Sequence, residues 1–532
     1  MTSKHVPILI VGGGLVGLSA ALFLSEHQIP YQLIERHAGT SIHPRARGVN
    51  HRTMELFRTL GFDDRIRDAE FLKKGGIFTA ETLKSVDFTQ RPSAAFQALR
   101  QEMEALKRKS PAMRSWITQD VLEPILLSEA EKRGGGHFCF STELVSLAQD
   151  DAGVTVTVRD RTDASEQTIR ADYVIACDGA KSPIRLQLGI DMTGRKSLGH
   201  VINVYFRSAL TSLLDGHEFS ICNITHPDAP GSLLSINATD RWTFHTPYNP
   251  GAGETPAQFT PERCAEMIRT AVGSSDIDIE ILSILPWEPA MGVTDQFQVG
   301  RIFLAGDAAH VMPPTGGYGG NTGIQDVHNL AWKLALVYRG EAAPSILATY
   351  ETERWPLARL TVEQAGHIAN SGVFSVVQGK GPIVKQTDIV LGFRYHSSAI
   401  VHRADVAQDD ADLNGQPGTR APHVWLTQQG KQISTLDLFN RHFVLLASEE
   451  DAHWREAAAV VSDRLGVSII AYTIGQAKGD LIDVDDHWRE TYGIQLTEAV
   501  LVRPDGVVAW RAKETTRAEQ ALANTMMKIL GR

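Results

Sequence analysis

Three glycines, Gly12, Gly14 and Gly17, stand in the spacing Gly-x-Gly-x-x-Gly, and the acid Glu35 follows at roughly the 20-residue distance of a dinucleotide-binding unit. The chemistry of that pattern is phosphate binding. Gly12 allows a tight turn, Gly14 has no Cβ to hold off a pyrophosphate, and Gly17 lets a helix lie close to a strand. Free N–H groups and the positive dipole end of that helix then face the phosphates. Glu35 can accept from ribose hydroxyls, which favours an unphosphorylated ribose, while Arg36 beside it pulls the other way. Two further acids close apolar runs: Asp178, followed by Gly179, and Asp307, preceded by Gly306. A glycine-rich stretch at 316–320 comes after Pro313 and Pro314, which stiffen it, and leads to Asn321. Asp307 can accept from polyol hydroxyls or act as a helix cap. His310 is a candidate proton relay or, with the greater weight, a packing and hydrogen-bonding residue.

Elements must hold these residues in place. Residues 6–11, VPILIV, have the continuous apolar character of a buried parallel strand, residues 18–27 read as a helix, and 31–34 as a second strand ending at Glu35. Residues 171–177 and 301–305 read as strands that end in Asp178 and Gly306-Asp307. A helix after Asn321 carries Ile324, Val327, Leu330, Ala331, Leu334 and Val337 on one face. The fold class is therefore α/β with a Rossmann-type nucleotide domain.

Composition narrows the function classes. The chain has 532 residues, 43% hydrophobic and 21% charged, which is a globular balance. A net charge of −10 gives no general electrostatic footprint for nucleic acid. The four cysteines, Cys139, Cys177, Cys222 and Cys264, are far apart in the chain, so there is neither a zinc-type spacing nor a disulfide framework, and a reducing cytoplasm is expected. No metal site is expected. The uncharged run 6–24 is long enough for a membrane helix, but three consecutive glycines interrupt it and it holds the phosphate motif, so no membrane or targeting role is expected.

Taken in order, Gly12-x-Gly14-x-x-Gly17, Asp178-Gly179 and Gly306-Asp307 resemble the three motifs of the single-component flavoprotein aromatic hydroxylases, the p-hydroxybenzoate hydroxylase family. The resemblance implies non-covalent FAD at the fingerprint, an Asp178-Gly179 turn serving FAD and NAD(P)H, and Asp307 on the flavin's ribityl chain. The segments 44–50 and 118–123 also match. They imply Arg45 or Arg47 at the FAD phosphates or flavin edge and Gln119 at the isoalloxazine or ribityl region. Pro314, Gly317, Gly319, Gly320 and Asn321 are implied at the flavin ring, with Gly320 where the family often has Met. In that family NADPH or NADH reduces the flavin, O₂ adds at carbon 4a, and the terminal oxygen of the hydroperoxide passes to a phenolic ring.

The resemblance implies three parts: a discontinuous FAD domain of the glutathione-reductase type over 1–189 and 296–400, a substrate-binding sheet domain over 190–295, and a thioredoxin-like domain over 415–532 that has no cysteine and so no dithiol chemistry. Strands at 201–206 and 242–245 would roof a pocket for an aromatic substrate, with Trp242, Phe244, Trp287 and Met291 as candidate lining. Segments 391–395 and 502–511 look most like the hydroxylases of aromatic polyketide biosynthesis, of the anthracycline and angucycline types. That implies a polycyclic phenol as the small-molecule partner, and a monomer or homodimer. No substrate base is identified. Baeyer–Villiger oxygenation, a simple-phenol hydroxylase and a flavoprotein that only binds an aromatic ligand remain open on the sequence. A flavin halogenase is disfavoured because there is no WxWxIP segment.

Overall fold

The computed structural model describes residues 4–72, 76–88, 101, 104–369, 384–402, 414–449, 452–512 and 517–532. Strand Lys4–Val11 is the centre of the first sheet. It pairs in parallel with Tyr31–Ile34 on one side and Glu166–Ala176 on the other, and Gly136–Cys139 and Ile302–Leu304 extend the parallel order outward. Residues 8–11 are buried on both faces, which is why they could be apolar without alternation. Helix Leu15–Glu26 leaves the glycine turn and packs against helices Gln119–Arg133 and Gly319–Tyr338. Three strand ends, at Val11, Ala176 and Leu304, therefore come out side by side, followed by the glycine fingerprint, Asp178 and Asp307.

Helix Gly319–Tyr338 departs from the one-face expectation. Ile324, Val327, Leu330, Ala331 and Leu334 are buried as expected, but so are Trp332, Lys333 and Leu336. The C-terminal layer covers their side, with the Trp332 and Phe443 rings meeting edge to face at 6.0 Å. A helix enclosed between two layers loses its polar face.

The second sheet has six strands, in the order Glu280–Trp287, Val201–Arg207, Arg241–Pro247, Gly231–Ser235, Ile221–Ile224 and Ile77–Ala80. The last comes from the N-terminal segment and joins Ile221–Ile224 in parallel, a long-range pairing without a local sequence signal. Helix Pro261–Val272 backs the sheet. Thr260 accepts from the Arg263 N–H at its start, and Cys264, Ile268, Ala271 and Val272 turn into the sheet's apolar layer.

In the C-terminal part, Phe443–Ser448, helix Ala452–Leu465 and Ile469–Gly475 form a parallel β-α-β unit, and Ala499–Val502 and Val508–Ala512 continue the sheet antiparallel before helix Ala518–Ile529. That connectivity is the thioredoxin order expected from the sequence. No helix among the described residues is long and apolar enough to cross a membrane, and no group of His, Cys, Asp and Glu among them could hold a metal ion.

Candidate functional site

The fingerprint turn is built by contact. Gly12 has φ +105°, and a Cβ there would lie 2.3 Å from the Cys177 carbonyl oxygen; a Cβ on Gly17 would lie 1.8 Å from that of Gly12. Gly14 differs, because its Cβ would meet nothing nearer than Glu123 Oε1 at 3.6 Å. Two glycines are needed for the backbone itself and the third leaves an open face, which is the arrangement a pyrophosphate needs. Glu35 staples this turn to the second strand. Its Oε2 accepts from the Gly13 N–H at 2.6 Å and its Oε1 from the His37 N–H at 2.8 Å. Arg36 is exposed beside it.

Around the strand ends stand the other motif residues. Asp307 is walled in by protein, and that burial pushes its carboxyl up, with His310 and Arg45 pulling it back. Its side chain is nevertheless open to solvent and takes no hydrogen bond among the described residues, so it lines a cleft rather than capping a helix. Asp178 accepts from the Ile184 N–H at 3.2 Å through Oδ2, while its Oδ1 is buried without a hydrogen-bond partner among the described residues; Gly179 follows at φ +86°. Gly317, at φ +65°, has open space where a Cβ would stand, and Gly319 and Gly320 begin the helix that faces the cleft. Pro314 sits just ahead of them, at φ −71°. An open glycine cradle, an orphaned carboxylate oxygen and a second carboxylate facing solvent fit the pyrophosphate and ribityl chain of FAD.

Other expected residues hold the protein together around that cleft. Asn321 accepts from the Asn50 N–H at 2.9 Å and donates to the Gly317 carbonyl at 2.7 Å, tying the glycine loop to the 48–50 segment. Gln119 donates to Glu123 Oε1 at 2.6 Å. Arg45 is exposed on the cleft side of Asp307. Arg47 is half-buried, its guanidinium packed into protein and brought down to about 9 by that desolvation, and it donates to the carbonyls of Ser220 at 2.9 Å and Ser235 at 2.6 Å, at the ends of strands in the six-stranded sheet. Of the two arginines, Arg45 is the one near Asp307.

Residues not singled out in the sequence complete the site. Glu123, on the fingerprint side, accepts from the Ser41 N–H at 2.6 Å; its one signal was the four-residue step from Gln119 along a helix. Behind the Gly306-Asp307 turn, Asp326 accepts from His310 Nε2 at 2.7 Å, from Arg354 Nε at 2.8 Å and from the Gly306 N–H at 3.2 Å. Burial alone would raise the Asp326 carboxyl, but Arg354 and His310 outweigh it and hold it below the usual range. An acid in the middle of an apolar helix was its signal. His310 is fully buried in this network.

The expected substrate lining needs correction. Trp242 and Phe244 are each 1% exposed and lie in the apolar layer under helix Pro261–Val272, and the Trp242 Nε1–H donates to the Ser208 carbonyl at 2.9 Å. In a strand, alternate residues take opposite faces. The other face of these strands carries Asn203, Tyr205, Thr243 and His245, paired as Tyr205 with Thr243 and Asn203 with His245. Trp287 lies near His245, ring centroids 6.5 Å apart. Met291 is half-buried in the short sheet with Met192–Arg195, against the nucleotide-domain core. That second face meets the 43–47 loop, where the His43 ring packs on Tyr205 at 5.6 Å, and the Gln119–Arg133 helix, where Asp120 accepts from Arg241 at 2.9 Å.

An FAD-binding domain family matches residues 5–365, and the aromatic-ring hydroxylase C-terminal family matches residues 414–532. The chain belongs to the FAD-binding aromatic-ring hydroxylases. It is 42% identical to a putative polyketide hydroxylase of Streptomyces halstedii, over 98% of this chain and 95% of that one. It is 39% identical to the 4-methyl-5-nitrocatechol 5-monooxygenase of a Burkholderia species, over 99% and 98%. The crystal structure of aklavinone-11 hydroxylase in ternary complex with FAD and aklavinone superposes with a TM-score of 0.90 at 37% identity, covering all of both chains. This protein is thus an FAD-dependent aromatic monooxygenase, and its fold is that of the aklavinone hydroxylase.

Proposed function

We propose that this monooxygenase hydroxylates a polycyclic phenol of the aromatic-polyketide kind, using NADPH or NADH as reductant. The observation that carries the substrate class is full-length similarity to polyketide hydroxylases, including the Streptomyces halstedii protein and the aklavinone-bound structure. Bound FAD, once reduced, activates O₂ and supplies one oxygen atom to the ring. The chain's own residues bind and orient. Gly12, Gly14 and Gly17 with the N-terminus of helix Leu15–Glu26 hold the pyrophosphate, Glu35 the ribose, and Asp307 the ribityl hydroxyls. The glycines of 316–320 let backbone N–H groups approach the ring, and the N-terminus of helix Gly319–Tyr338 favours negative charge on it. The sheet face bearing Asn203, Tyr205, Thr243 and His245 closes the cleft over the substrate and excludes water.

The flavin-carrying part is taken as 1–189 with 296–400, the substrate sheet as 190–295 and the thioredoxin-like part as 415–532. The strand Ile77–Ala80 crosses from the first to the second. Four free cysteines support a reducing, cytoplasmic setting. A single-ring substrate is the second reading, and the nitrocatechol monooxygenase relative favours it. The test compares a set of hydroxylated anthraquinones and naphthols with phenol and catechol, following NAD(P)H oxidation and product mass under ¹⁸O₂. Polycyclic phenols are expected to gain one labelled oxygen with little peroxide released. Good coupling with simple phenols and none with polycyclic ones would replace the first reading by the second, and oxygen insertion into the ring without a new hydroxyl would mean Baeyer–Villiger chemistry.

A further inference from the structure

Several polar side-chain atoms on the sheet-side wall of the cleft are buried with no hydrogen-bond partner among the described residues: both ring nitrogens of His43, Nε of Arg47, Oγ1 of Thr243 and Oδ1 of Asn203. His43 is 7% exposed and Thr243 1%. Buried polar atoms in folded proteins are nearly always bonded, and leaving one without a partner is costly. These orphans fall together. The His43 ring rests on Tyr205, Tyr205 is the cross-strand neighbour of Thr243, and Asn203 and His245 form the next pair along the same face. Arg47, from the His43 loop, reaches the same sheet through the Ser220 and Ser235 carbonyls. A set of unmet donors and acceptors on one wall calls for a ligand with oxygen functions on its edge.

Resting on the reading of this cleft as the phenol site, we propose that His43 is the base that takes the substrate's phenolic proton, with Thr243 and Asn203 hydrogen-bonding the substrate's oxygens. The phenolic O–H bond breaks and an N–H bond forms on His43, giving imidazolium and phenolate. The phenolate is the electron-rich ring that accepts oxygen. When the hydroxylated dienone rearomatises, its ring carbon loses a proton to solvent and its carbonyl oxygen recovers one from His43, so the base ends as it began.

The surroundings suit this role. Arg45 and Arg47 from the same loop, Asp120 from the adjoining helix, and Tyr205, Arg241 and His245 from the sheet are the ionisable groups that face it. Asp120 accepts from Arg241 at 2.9 Å, which ties its carboxylate to the sheet. Tyr205 Oη lies 3.2 Å from the same guanidinium. The arginines favour a phenolate nearby and so lower the cost of taking the substrate's proton; burial and Arg45 lower the His43 imidazole, against the pull of Asp120, so that its ring is neutral with a nitrogen lone pair free before substrate arrives.

A base is needed only for a phenol that arrives protonated. The test therefore uses FAD-loaded wild type and His43→Asn with two probe pairs matched in ring count: 2-naphthol with 4-nitro-1-naphthol, and phenol with 4-nitrophenol. Near pH 8 the nitro compounds are largely ionised and the parents are not. The variant is expected to slow hydroxylation of the parent phenols by about 100-fold or more, to leave the ionised ones within about 3-fold, and to recover the parents as pH rises. Equal slowing of both members of a pair would overturn the proposal. Turnover of the single-ring pair alone would sink the polycyclic reading and leave the His43 test intact. Failure of both 4-nitro-1-naphthol and 4-nitrophenol to bind wild type, read from the nitrophenolate absorbance, would remove the cleft as a phenol site and the proposal with it. Should His43→Asn not retain FAD, Thr243→Val tests the same wall: KM is expected to rise about 3–10-fold with kcat nearly unchanged, and an unchanged KM overturns the role.

Discussion

At the scale of single residues, the three fingerprint glycines are not equivalent, and substitution should separate them. Gly17→Ala would drive a methyl group against the Gly12 carbonyl oxygen and Gly12→Ala against that of Cys177, so both should yield little folded protein. Gly14→Ala has room in the protein and obstructs only the open face. It should give a folded protein that binds FAD at least 10-fold more weakly, read by flavin content after gel filtration and by circular dichroism. A Gly14→Ala protein with full flavin would move the pyrophosphate elsewhere. Asp307→Ala should likewise lose flavin before fold, because a carboxylate facing the cleft contributes charge-assisted hydrogen bonds worth about 1.5–3 kcal/mol to the ligand and none to the protein. Unchanged flavin occupancy with a native melting temperature would take Asp307 out of the site. These residues were legible in the sequence because glycine spacing and strand-end acids are local signals. The substrate wall was not. Trp242 and Phe244 were chosen for chemical type, but in a strand it is parity that decides which face a residue takes, and which face is the core depends on where helix Pro261–Val272 packs. The polar residues beside them, Thr243 and His245, take the other face, which meets the 43–47 loop.

At the scale of elements, helix Thr349–Ile368 carries the adjacent residues Glu353 and Arg354 in opposite directions. Arg354 reaches Asp326 behind the Gly306-Asp307 turn. Glu353 accepts from Lys333 at 2.9 Å on the neighbouring helix and from Arg503 at 2.6 Å in the C-terminal part. Burial would raise the Glu353 carboxyl, but Arg503 and Lys333 outweigh it and hold it below the usual range. Glu353 and Asp326 are thus both depressed in the folded state. The stability they contribute is present above the ordinary carboxylate pKa and is lost as pH falls through the lower folded values, because the unfolded chain takes up the protons first. Thermal midpoints measured from about pH 6 down to pH 3 should fall more steeply in wild type than in Glu353→Gln, even though the variant starts lower. Parallel curves would mean that Glu353 carries no such linkage. Sequence periodicity could place this helix but not its partners. Buried charges of this kind are specified by residues far apart in the chain, Glu353 and Arg503 by 150 positions, and no local window contains both.

At the scale of the whole molecule, the thioredoxin-like part lacks the cysteines that give such folds redox chemistry, so its contribution must be made by packing and charge. The structure gives that contribution a location. Arg503 and Asp505 enter a fully buried cluster with Glu353 and Lys333, whose formal charges cancel. Arg52, on a helix of the nucleotide-binding part, donates to the Asp505 carbonyl at 2.7 Å. From this cluster the chain of contacts runs through Glu353 to its neighbour Arg354, then to Asp326 and the Gly306 N–H beside Asp307. The C-terminal part thereby braces the Gly306-Asp307 turn. Removing one member leaves an uncompensated buried charge, which costs about 3–5 kcal/mol, whereas removing an opposite pair together restores neutrality. Arg503→Met and Glu353→Met should each lower the melting temperature sharply, and the double variant should lose less than the two losses added. Flavin retention should follow the same order, because the brace fails in the single variants first at the Gly306-Asp307 turn. Additive losses in stability would show that the two side chains are not coupled. Flavin retention at wild-type level in a destabilised single variant would show that the C-terminal part supports the fold without reaching the site.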